Sequence, residues 1–258
     1  MLTQMLRIVL FFSLFLLATP ALQAESSGHF KAYTEGRYAE ARTLALQDPT
    51  ADRYAFSARS LLAEAISMSD FAPAKTLLLD AKKHAEQALA LEASHTEARL
   101  QLAIALSLEA RTLGLREAWR SGHVRRAQRL ALEVIEDDPQ NAYAHGFLAV
   151  WHLEVRRRGG RFGASMMGAS VKQARRHYHA ARALRPNDAG LHWQFARSLA
   201  ALDTARYKTE IETALTASQK SLAETALDRL MQERAVLLQG MMLNEPLKYA
   251  ERQAGKML

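Results

Sequence analysis

"ARRHYHAARALRPND" (Ala174–Asp188) and "AQRLALEVIEDDPQN" (Ala127–Asn141) are two copies of one pattern. Ala174, Tyr178, Ala181 and Pro186 of the first match Ala127, Ala131, Val134 and Pro139 of the second. "AKKHAEQALALEASH" repeats it with Ala81, Ala85 and Ala88, and with Ala93 where proline stood. A weaker copy, "YKTEIETALTASQK", keeps Ile211 and Ala214. The stretches after these turns also agree, with Leu102–Ala103, Leu148–Ala149 and Phe195–Ala196 in equivalent places. Spacings of three and four put the matched residues on one face of a helix. The proline cannot continue a helix and restricts the residue before it. Each unit is therefore a helix, a turn, a second helix and a turn. Alanine and leucine dominate, with glutamate, arginine and glutamine between them, all helix formers. Val, Ile and Thr never alternate for long, so no strands are expected.

This pattern resembles the tetratricopeptide repeat (TPR), a helix–turn–helix unit. "EGRYAEARTLA" (Glu35–Ala45) fits the turn and second helix of an opening copy through Gly36, Tyr38 and Ala41. The resemblance implies an all-α, TPR-like α-solenoid over residues 25–258. Its repeats span about 29–48, 51–93, 96–139, 142–186 and 189–219. Each unit would bury its apolar face on its neighbours. The amphipathic stretch 221–242, with Leu222, Ala226, Leu230, Ala235 and Leu238 near one side, is expected as a C-terminal capping helix.

One departure is informative. Pro139 and Pro186 stand about 47 apart, against about 34 for this repeat. Two successive units thus carry about a dozen extra residues each, while both helix cores are intact. The extra length is expected as lengthened loops inside the pairs, at Gly114–His123 and at Arg158–Ser170. Neighbouring insertions fall on one edge of a solenoid and form a composite surface. In the second of them, Arg156, Arg157 and Arg158 suit a helix end, Gly159 a left-handed position after it, and Ser170 with Gln173 a capping box. Those roles leave Arg161, Phe162, Met166 and Met167 without a structural task. Arg158, Arg161, Phe162, Met166 and Met167 are accordingly a candidate contact edge, for a protein or for an anionic membrane surface; a plain connection is the alternative.

The first residues, "MLTQMLRIVLFFSLFLLATPALQAES", have Arg7, an apolar run and small residues at Ala21 and Ala24. This is the pattern of a cleavable signal peptide over residues 1–24, with an uncleaved anchor as the alternative. The chain of 258 residues has no cysteine, so packing alone must hold it outside the cytoplasm. Its 49% apolar content is enough for a core. A periplasmic location is expected. The net charge of +7 would raise nucleic acid as a partner inside a cell, and export argues against it.

In TPR proteins the first helix of each pair lines a concave face. Carried over by alignment, that face holds Glu97, Leu100, Ile104 and Leu108, then Tyr143, Val150 and Leu153, then Trp193 and Arg197. It is mostly apolar. Either it takes an apolar ligand or segment, or the superhelix fills its own interior. His145 and His152 lie two turns apart, and His177 and His179 face apart, so no metal site is expected. No nucleotide-binding, zinc-protease or serine-hydrolase motif is present, and neither a cofactor nor catalysis is expected. The first functional reading is a non-catalytic exported scaffold that binds envelope or periplasmic proteins. The second follows a further resemblance, to the T-component of tripartite ATP-independent periplasmic (TRAP) transporters. It rests on the degenerate repeat, the long turns within pairs and "FGASMMGA" (Phe162–Ala169), and it implies handling of a small or apolar ligand in the concave face.

Overall fold

A computed structural model describes residues 28–68 and 75–257. The signal segment lies outside the described residues. Among those described there are thirteen helices and no strand. In chain order they are α1 (Gly28–Thr34), α2 (Tyr38–Ala45), α3 (Ala51–Ser67), α4 (Lys75–Leu91), α5 (Thr96–Thr112), α6 (Leu115–Arg120) and α7 (His123–Asp137). Then come α8 (Ala142–Met167), α9 (Val171–Leu184), α10 (Ala189–Asp203), α11 (Lys208–Lys220), α12 (Ala226–Asn244) and α13 (Leu247–Ala254). None is long and apolar enough to cross a membrane.

The matched positions are the packing positions. Ala81, Ala85, Ala88, Ala127, Ala131, Val134, Ala174 and Ala181 are all fully buried. They face the partner helix in the pairs α3–α4, α5–α7 and α8–α9. A methyl group at the contact lets two helix axes approach closely. The residues after each proline also share a task. Asn141 accepts from the Ala144 amide at 3.0 Å, and Asp188 from the Leu191 amide at 2.9 Å, each capping the next helix. His95 takes that place in the copy without proline and accepts from the Ala98 amide. His145 and His192 reach back from their helices to the carbonyls of Pro139 and Pro186.

Helices also contact the second helix along the chain, α3 on α5 and α8 on α10. The last helices return to the first. α12 packs on α1 and α3. A Cβ on Gly36, whose φ of 82° suits glycine, would come within 2.9 Å of the Ala226 Cβ. Arg234 of α12 donates to the Ile66 carbonyl at the end of α3, 2.8 Å away. Arg111 of α5 donates to the carbonyls of Gly255 and Met257 just beyond α13. The stretch expected to cap one end thus packs both on α10 and α11 before it and on α1 and α3. It begins at Ala226 rather than residue 221, because Thr225 and Asp228 form a reciprocal capping box there.

The two insertions are not loops. The first contains α6. In the second, α8 runs on through the arginines to Gly160, breaks, and resumes to Met167. Arginine, alanine and methionine favour helix, so only the glycine interrupts it. The break falls at Gly160 (φ 63°, ψ −159°), and Gly159 remains helical. That region of backbone space is open essentially to glycine alone. Gly160→Ala is expected to lower stability by about 1–3 kcal/mol. Urea denaturation monitored by circular dichroism measures it.

Candidate functional site

The space between α3, α5, α8, α10 and α12 is a half-open cavity of about 760 Å³. Its walls follow from helical spacing. On α5, Leu100, Ile104, Leu108 and Arg111 recur at four, four and three, which is one stripe. On α8, Tyr143, Phe147, Val150, Glu154 and Arg158 do the same. Each stripe is apolar in the middle and charged at its far end. Leu62 of α3 and Met231 of α12 close the apolar middle from the other sides.

One polar end is balanced. Arg59 donates to Glu97 from Nε at 2.7 Å, and the Gln101 amide donates to the same oxygen at 2.8 Å. The opposite end gathers guanidiniums around a single acid. Arg197, 1% exposed, donates to Glu154 at 3.0 Å. Arg157 donates to the other carboxylate oxygen at 2.7 Å. Arg111 Nη1 lies 3.7 Å from Glu154. Burial alone would raise the Glu154 carboxyl; the guanidiniums of Arg197, Arg111 and Arg157 outweigh it and hold it down to about 2. Burial, then the neighbouring Arg197, pull Arg111 down to about 9 against the pull of Glu154. Arg158 ties α8 to the end of α5, donating to the carbonyls of Ala110 and Leu113 at 2.8 and 2.9 Å. It caps the end of α5 and not that of its own helix.

The residues expected on the concave face divide into two groups. Glu97, Leu100, Ile104, Leu108, Tyr143, Val150 and Arg197 line the cavity. Leu153 and Trp193 do not: both are fully buried in the core shared by α8, α10, α11 and α12. α10 is covered by α8, α11, α12 and α13, so its inward position has become interior. The expected contact edge divides as well. Arg158 and Met167 line the cavity, and Met167 is buried. Phe162 is 78% exposed and Met166 50%, one helical turn apart, and Arg161 is also exposed. The insertions meet through Arg125, which lies over the Trp119 ring and donates to the Met167 sulfur. Leu115 and Trp119, both exposed, form the rim there, and Trp151 lies deeper, its indole N–H held by the Val124 carbonyl.

Arg59, Arg111, Trp119, Trp151 and Met231 were not expected at this site. Arg111 could have been found by extending the α5 stripe three residues beyond Leu108. Met231 could not, because it arrives by the return of α12. His145, His152 and His177 come together, with the His152 and His177 rings stacked 5.7 Å apart. Burial holds both of those imidazoles down to about 4. No group of three or more His, Cys, Asp or Glu placed to hold a metal occurs among the described residues. Neither the comparison with protein-family models nor that with curated proteins found a match to this chain.

Proposed function

We propose that this chain is a non-catalytic, TPR-like helical-repeat protein of the periplasm that encloses a small, mainly apolar ligand. The cavity of about 760 Å³ carries the proposal. That volume lies in the range of small-molecule sites, and its wall combines an apolar middle with a few placed polar groups. The repeated helix–turn–helix pattern and the buried alanines support the TPR-like arrangement. The signal-like N-terminal pattern supports the location. The sequence resemblance to the TRAP transporter T-component points to the same use of the concave face. The test is a bulky side chain in the middle of the wall. Ile104→Trp is expected to weaken binding of an apolar fluorescent probe about a hundred-fold while the helical spectrum is kept. Unchanged probe affinity in a folded variant would remove the cavity as the site.

A second reading, a scaffold for envelope proteins, is supported by the exposed pair Phe162 and Met166 at the edge of the insertions. Phe162→Asp leaves the cavity wall untouched, so it separates that reading from the first.

A further inference from the structure

We infer that the arginine-rich end of the cavity, formed by Arg111, Arg158 and Arg197 around Glu154, recognises the carboxylate head group of an amphipathic ligand whose alkyl body lies in the apolar middle. This rests on the cavity being a ligand site.

The charge there does not balance. Three guanidiniums, of Arg111, Arg157 and Arg197, stand against one carboxylate, Glu154, and a fourth, of Arg158, lies one helical turn beyond it in the same wall. Two sets of backbone carbonyls add negative character: those of Ala110 and Leu113, which take Arg158, and those of Gly255 and Met257, which take Arg111. A helix C-terminus counts as about half a negative charge. Positive charge therefore remains. The nearby acid Glu251 is engaged by Lys248 and by the Thr204 amide, and Glu109 stands by Lys82 and His123. A buried cation without a matching anion is costly, and a bound carboxylate removes that cost.

The geometry suits such a head group. Both Nη2 protons of Arg111 go to the carbonyls of Gly255 and Met257, while its Nη1 is 3.7 Å from Glu154, beyond hydrogen-bond reach. With Nη2 anchored in this way, the guanidinium is fixed in place and its Nη1 is left to give a charge-assisted hydrogen bond to a carboxylate oxygen. Ile104 and Leu108 lead directly to it along one face of α5, and Val150 leads to Glu154 on α8, so head and body are placed in line. At the opposite end Arg59 and Glu97 already match one to one, with no surplus for an anion.

The test uses the full chain and a displaceable apolar fluorescent probe, with dodecanoate, dodecanol and dodecylamine as competitors. Dodecanoate is expected to compete about ten-fold or more better than dodecanol, and dodecylamine to be the weakest. Arg111→Gln is expected to bring the acid-to-alcohol ratio close to unity. Arg158→Gln, on a less buried side chain, should lower the same ratio and serves if the first variant does not fold. If acid and alcohol compete equally in the wild type, or the ratio survives both substitutions, the head-group site is refuted and the cavity reading stands. If the probe itself does not bind, both fall together.

Discussion

Glu154→Ala is expected to lower stability by about 3–5 kcal/mol, the usual cost of removing one partner from a buried ion pair. Arg197 is 1% exposed, and Glu154 is its carboxylate partner. Without Glu154 that guanidinium, with those of Arg111 and Arg157 beside it, faces only neutral groups and other cations. Equilibrium urea denaturation at neutral pH measures the loss. The same group sets an acid limit. Its carboxyl is held down to about 2 from an ordinary value of 4.5, so the folded state stays ionised where the unfolded chain takes up a proton. The stability it contributes is complete above about pH 4.5 and is lost as pH falls toward about 2. Glu154→Gln should flatten that limb of the pH–stability curve. An acid limb of unchanged slope would show that the arginine cluster does not depend on this carboxylate.

Trp193→Ala is expected to cost a similar amount, about 3–5 kcal/mol, for a different reason: it leaves a hole in close-packed core. The indole is fully buried among side chains of α8, α10, α11 and α12 and does not touch the cavity. Probe affinity in the folded fraction should therefore change little, about two-fold or less. Calorimetric unfolding gives the first quantity and probe titration at low temperature the second. The contrast with Ile104→Trp is the useful part. One substitution damages the fold and spares the site; the other fills the site and spares the fold.

The pattern of alanines, prolines and capping residues made the helical pairs legible, because those contacts are local and repeat. Ala81, Ala127 and Ala174 are buried at equivalent places for the same steric reason. The insertion at Arg158–Ser170 was harder. Its glycines suggest a loop, yet only Gly160 departs from helix before Gly168 ends it. Residues such as Arg161, Ala164 and Met167 are good helix formers and carry the chain through. The site was legible along α5 and α8 and, on α10, at Arg197 alone. Leu100, Ile104 and Val150 follow from helical spacing, and Glu154 and Arg158 continue the α8 stripe. The return of α12 and α13 was not legible. Arg234 reaches Ile66, and Arg111 reaches Met257, through contacts between distant parts of the chain that no local pattern encodes. That return buries Trp193 in the core and adds Met231 to the cavity wall.

The position of the ligand can be measured through the three tryptophans. Trp151 lines the cavity, Trp193 is sealed in the core, and Trp119 stands on the rim. Trp119→Phe combined with either Trp193→Phe or Trp151→Phe leaves one emitter in each protein. Titration with a brominated alkane, which quenches only on near contact, should quench Trp151 in a saturable way and leave Trp193 bright. Equal quenching of the two, or none at Trp151, would contradict the claim that this chain encloses an apolar ligand between its helices.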